Sequence, residues 1–206
     1  MTDNKDMVSV SFDRHQIQQL KSCAVRGRSY SERISIPLAF QLMDNSDSYF
    51  DCFSVLDELD YLEGIRSVSR AKPEKQFTES PLYPFWHKHF FSARHLVKNL
   101  GIRWNLDGKK QKDLTVMIND VAENYGDDCN NWPGHIAHRL VIQGFKERVE
   151  SIKFGLTGDW IIYAKHSGQN YYLSLARHKE GTKENVNTLI LKLKNGCYAD
   201  FPFLFA

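Results

Sequence analysis

The run Asp159–His178, DWIIYAKHSGQNYYLSLARH, alternates in side-chain character on both sides of a Ser167-Gly168 pair and predicts a β-hairpin. A two-residue turn there sets His166 opposite Gln169, Ala164 opposite Tyr171, Ile162 opposite Leu173 and Trp160 opposite Leu175, all on a core face. The interleaved residues face the other way: Tyr163 meets Tyr172, Lys165 meets Asn170, Ile161 meets Ser174, and Ala176 and His178 follow. A sheet face that carries Lys, His and two Tyr beside an apolar core has the chemistry to bind a phosphodiester or to cleave one.

Around this hairpin, the runs SIKFGL, NTLILKLK and CYADFPFLF are short, alternating and separated by turn residues, so 151–206 reads as an antiparallel sheet of four to five strands. Helical spacing precedes it. Pro84 can open a helix with Trp86, Phe90, Ala93, Val97 and Leu100 on one stripe; Leu114, Met117, Ile118 and Val121 mark a helix over 113–125; a third begins at Pro133 and runs to about Glu150. Residues 65–84, with Pro73, Pro81 and Pro84, read as a linker. Before it, Asp13 caps a helix that Gly27 ends, and a second runs from about Ser48 to Leu62 with Tyr49, Phe53, Leu56 and Leu59 inward. The resulting expectation is an α+β chain: an acidic helical leader (1–64), a linker (65–84), and a body with helices over 85–150 and the antiparallel sheet over 151–206. The helices should cover one sheet face and leave the other open.

The formal net charge of +2 hides an asymmetry, −5 over residues 1–64 and +7 over the remainder, and the basic body suits a polyanionic partner. No secretory signal or membrane-spanning run is present, which predicts a cytoplasmic protein with no membrane partner. The four cysteines show no CxxC spacing and suit reduced thiols. There is no GxSxG, GxxxxGK or GxGxxG, so neither a serine elbow nor a nucleotide cofactor is expected.

Projected on a helix, His87, Arg94 and Lys98 share a narrow arc with Phe91 beside them, and His135, Arg139 and Lys146 share a side of the following helix. Cations of this kind hold phosphates and aromatic rings stack bases, which makes His87, Phe91, Arg94, Lys98, Arg139 and Tyr172 candidate RNA-binding residues. His87 with His89, and His135 with His138, have the spacing of metal ligands but lack HExxH, CxxC or a carboxylate partner, and no metal is assigned. Metal-independent cleavage by the RNA 2′-hydroxyl needs a base, an acid and a cation for the charged phosphorane. Lys165, His166, Arg177 and His178, with Tyr163 between the strands, are the candidate catalytic residues.

The pattern DWIIYAK, a short turn, NYYLSLARHK and a further strand resembles the ribonuclease superfamily that gathers barnase, EndoU, colicin and RelE-like toxins, over about residues 150–200. The segments WHKHFFSARHLVKNL and LTGDWIIYAKHSGQNYYL also look like those of uncharacterised bacterial proteins. The superfamily resemblance implies metal-independent catalysis by Lys, Arg, His or Tyr. The leader is longer than a small toxin needs, and no single histidine matches the family's base. The functional expectation is an RNA-binding protein acting as a metal-independent endoribonuclease of toxin or phage-defence type, with RNA and a neutralising protein as partners. A non-catalytic interaction or regulatory module, antitoxin-like or anti-defence, is the alternative from another class, and a small metal-dependent hydrolase is the third.

Overall fold

The computed structural model describes residues 11–44, 50–108, 111–128, 130–150 and 156–205. Helix α1 (Arg14–Ala24) starts at Asp13, whose carboxylate accepts the Gln16 N–H at 2.8 Å while the Gln16 side chain accepts the Asp13 N–H at 2.9 Å. Gly27, at φ +72°, supplies the left-handed residue after it. Ser35 caps α2 (Ile36–Met43), with Pro37 in the first turn, and Asp51 caps α3 (Cys52–Leu62). Then come β1 (Lys75–Gln76), β2 (Trp86–Phe90), α4 (Leu96–Trp104), α5 (Lys112–Tyr125), α6 (Trp132–His138), α7 (Gly144–Glu150), β3 (Asp159–His166), β4 (Gln169–Ala176) and α8 (Val186–Cys197). A π-helical stretch, Arg139–Gln143, joins α6 to α7.

The fold is α+β, and its sheet is four-stranded and antiparallel in the order β1-β2-β3-β4. Ser167 and Gly168 both have positive φ, as a tight hairpin turn requires, and the predicted pairing holds from His166↔Gln169 to Tyr163↔Tyr172. Beyond that pair the register differs from expectation. A bulge adds Leu173 to β4, so Ile162 lies opposite Ser174, Ile161 opposite Leu175 and Trp160 opposite Ala176. Leu173 stays with Trp160 and Ile162 as expected, but beyond it the faces exchange: Ala176 joins Trp160 and Ile162, while Leu175 joins Ile161 and Tyr163.

Both sheet faces are covered. On one side Ile161, Tyr163, Tyr172, Leu175 and Phe90 pack with Val25, Tyr30, Ile34, Leu38, Val55 and Leu59 from the N-terminal helices and their connections. On the other, Trp160, Ile162, Ala164 and Leu173 pack with Leu189, Ile190, Leu193 and Phe201. The face expected to be open is therefore buried, because the apolar stripes of α1–α3 need a partner and the sheet supplies it. Between β2 and β3, α4–α7 form a satellite cluster around Trp104, Met117 and Val121.

Three element assignments differ from the sequence pattern. Trp86–Phe90, expected in a helix, is a strand, because both of its faces are occupied: Trp86, Lys88 and Phe90 face α3 while His87 and His89 face Trp160. Val186–Cys197, expected in a strand, is a helix that buries Leu189, Ile190, Leu193 and Cys197 at helical spacing and leaves Leu191 exposed. The C-terminal run, also expected as a strand, makes only the 3-10 turn Pro202–Leu204. Most of SIKFGL, the start of the Ser48 helix and Cys129 lie outside the described residues. Among the described residues no helix is long and apolar enough to cross a membrane.

Candidate anion-binding site

At the end of the sheet away from the hairpin turn, the first residue of β3, Asp159, is buried with its carboxylate surrounded by donors. It forms an ion pair with Arg94, accepts from His95 Nε2 at 3.1 Å and accepts the backbone N–H of His178 at 3.1 Å. Arg94 and His95 arrive on the 3-10 turn Ala93–His95 that follows β2, and His178 follows β4. Asn99 of α4, fully buried, fixes this junction: its side chain bonds the Thr157 carbonyl (2.9 Å), the Thr157 N–H (3.0 Å) and the His95 carbonyl (2.9 Å). Residue 158 must be glycine, since a Cβ there would stand 1.8 Å from the Phe90 carbonyl oxygen. That close approach lets the Gly158 carbonyl accept from His89 Nδ1 at 3.0 Å.

Four histidines gather here and beside it. The ring of His178 lies 6.0 Å from that of His89 and 4.9 Å from Trp160, and the ring of His87 lies 5.6 Å from His89 and 5.0 Å from Trp160. Burial, reinforced by neighbouring positive charge, lowers every one of their pKa values. His89 is pushed down to about 3 and His87 to about 4. His95 is lowered by burial, then Arg94 and Lys98, and His178 by burial, then Lys98 and Lys72. All four are neutral at pH 7, and pairing with carbonyl and carboxylate assigns the proton to Nδ1 of His89 and Nε2 of His95. Neither Lys72 nor Lys98 makes a side-chain ion pair among the described residues, while Asp159 is already matched by Arg94. The result is a cluster with surplus positive charge and unprotonated imidazoles, suited to hold an anion and accept a proton.

The sequence candidates divide between two ends of the molecule. His178 and Arg94 meet at Asp159, with His87 and Lys98 close by. Arg177 adjoins them and its N–H bonds Glu180 Oε2 at 2.6 Å. Lys165 and His166 lie at the hairpin turn instead: Lys165 pairs with Glu74 at 3.0 Å and sits 4.1 Å over the Trp86 ring, and His166 packs on Phe203. Tyr163 and Tyr172 are fully buried, bonded to Glu74 and Glu63, with pKa values raised by burial, so neither ring offers a face to a base. Phe91 packs on Phe145. Arg139, in the π-helical stretch, pairs with Asp120.

The sequence reading missed Asp159, His95, His89 as a site member, and Lys72. Asp159 was legible as a polar residue opening an apolar strand, and His95 as the neighbour of Arg94, but only the strand assignment of 86–90 brings them to one carboxylate. Among the described residues no three His, Cys, Asp or Glu side chains converge as a metal-binding group. No family model, no curated protein and no solved structure matches this chain.

Proposed function

We propose that the chain binds RNA through its phosphates at the Asp159 end of the sheet and cleaves it without a metal. The observation that best supports this reading is the buried Asp159 carboxylate, which holds the His95 ring and the backbone N–H of His178 beside two lysines that form no ion pair among the described residues. In this reading Lys72 and Lys98 hold the phosphate and offset the charge of the phosphorane. One neutral histidine takes the 2′-hydroxyl proton. The other, whose pKa rises when the phosphate charge arrives beside it, protonates the leaving 5′-oxygen. Lys165, His166 and Tyr163 take no part.

The test is incubation of the full chain with single-stranded RNA in EDTA. Expected are fragments ending in 2′,3′-cyclic phosphate and no scission where the 2′-hydroxyl is replaced by hydrogen. His178→Gln and His95→Gln should each slow cleavage at least ~10²-fold. Stable binding with intact RNA would instead support a non-catalytic RNA-binding module, the second reading, which is favoured by the four histidines all being held neutral in the free protein. A chain that neither binds nor cuts RNA would reject both.

A further inference from the structure

On the opposite face of the sheet from the histidines, Lys88 projects from β2 toward α3 with its side chain fully buried. Its Nζ donates to Ser69 Oγ at 2.7 Å, to the carbonyls of Lys72 at 2.6 Å and Ala71 at 3.3 Å, and lies 3.0 Å from Glu58 Oε2. Ser69 Oγ in turn donates to Glu58 Oε2 at 2.7 Å and accepts the Ala71 N–H at 3.2 Å. One hydroxyl thus has a carboxylate placed to take its proton and two donors placed to stabilise the oxygen left behind. A cavity of about 540 Å³ opens on both Ser69 and Lys88, with Tyr61, Val68, Pro73 and Val149 forming its apolar wall and Ser67, Arg70 and Glu150 its polar one.

We propose that Ser69 is a nucleophile, with Glu58 as its base and Lys88 as the cation that holds its alkoxide, and that this cavity takes a carboxylic ester with an apolar acyl group. The geometry meets the general requirement for covalent catalysis, a nucleophile and base in hydrogen-bond contact with a third group orienting both. As Ser69 Oγ bonds the acyl carbon, its proton passes to Glu58. The tetrahedral oxyanion then collapses, the ester C–O bond breaks and the alcohol leaves with the proton from Glu58. Water attacks the acyl-serine, gives its proton to Glu58 and releases the acid, and the Ser69 oxygen recovers that proton. No oxidant, metal or further reactant is required.

The site stands apart from the RNA reading, and its test is independent of RNA. The full chain is treated with a fluorophosphonate, in which the serine oxygen bonds phosphorus and fluoride leaves with the proton, and the adduct is mapped by mass spectrometry. Expected is one adduct, on Ser69, absent from Ser69→Ala, with p-nitrophenyl butyrate hydrolysis lost in the same variant. Glu58→Gln should slow labelling at least ~10²-fold. A folded chain that takes up no label, or takes it up equally on other serines, overturns the proposal. So does an unchanged labelling rate in folded Glu58→Gln; where that variant fails to fold, the wild-type map and the Ser69→Ala comparison decide alone.

Discussion

Asp159 and His95 are held together in a buried contact, Oδ2 accepting from Nε2 at 3.1 Å, with the same carboxylate oxygen paired to Arg94. Removing the carboxylate strips three donors of their acceptor at once. Asp159→Ala should therefore lower stability by about 3 kcal/mol, read from the midpoint of urea denaturation. Arg94→Met added to that variant should cost little more, because its cation has already lost the carboxylate. Fully additive losses would mean that the pair is not energetically coupled.

His89 makes stability depend on pH. Its folded pKa, about 3, is depressed below the ordinary value, so the native ring stays neutral while the unfolded chain takes up a proton. Stability from this residue is whole above pH 6.5 and declines as pH falls toward 3, by about 2 kcal/mol at pH 5. Denaturation at pH 7 and pH 5 should show a loss that is smaller by that amount in His89→Gln, where the side chain cannot titrate. An equal loss in both proteins would contradict the burial of this ring.

If the chain binds RNA as proposed, Lys72 and Lys98 should carry much of the salt dependence of that binding. Each phosphate contact to a single strand contributes about 0.7 to the slope of log affinity against log salt, so Lys72→Met and Lys98→Met should each flatten the slope by about that amount. Lys165→Met, at the far end of β3 and already paired with Glu74, should leave it unchanged. Affinity titrations between low and moderate salt would check this directly.

Trp160 is packed between β2, α8 and the turn after β4. Its ring lies so close to Gly181 that a Cβ there would stand 2.1 Å from it. Trp160→Ala should cost roughly 3–5 kcal/mol and Gly181→Ala about 1–3 kcal/mol, the second through overpacking rather than a cavity. Thermal denaturation of both variants is the measurement, and a Gly181→Ala protein as stable as the parent would show that the turn yields freely.

The acidic leader is a structural layer. Deleting residues 1–64 removes Val25, Tyr30, Ile34, Leu38, Val55 and Leu59 from one side of the sheet and exposes Tyr163 and Tyr172. The truncated chain is expected to lose its cooperative unfolding transition and bind a hydrophobic dye. A compact fragment that still melts cooperatively would refute this role.

The hairpin turn, the α+β class and the caps at Asp13 and Gly27 were legible because each is local: a dipeptide, a spacing or a capping side chain identifies it. The bulge at Leu173 was not, since an extra residue leaves alternation intact on both sides of it. Trp86–Phe90 misled because its outer aromatics fit a helical stripe as well as a strand, and because Lys88 between them is buried against Glu58 instead of facing solvent. The candidate site suffered from the same confusion. His178 and Arg94 were identified one by one, but their shared carboxylate lies on a neighbouring strand that no sequence spacing connects to either. Tyr163 and Tyr172 were placed on the correct side of the hairpin, and only the docking of the leader shows that this side is interior.

The helical insertion between β2 and β3 bears on how the protein acquires its site. Strands β3 and β4 are contiguous and can zip together on the ~1–10 μs scale of an isolated hairpin, whereas β2 reaches β3 only after residues 91–158 have been looped out, a slow closure at high contact order. Arg94 and His95 stand at the first end of that loop and Asp159 at its last. A half-folded chain would thus own a finished hairpin and an unfinished site, and recovery of the Asp159 ion pair during refolding would time the arrival of β2 rather than the collapse of the sheet.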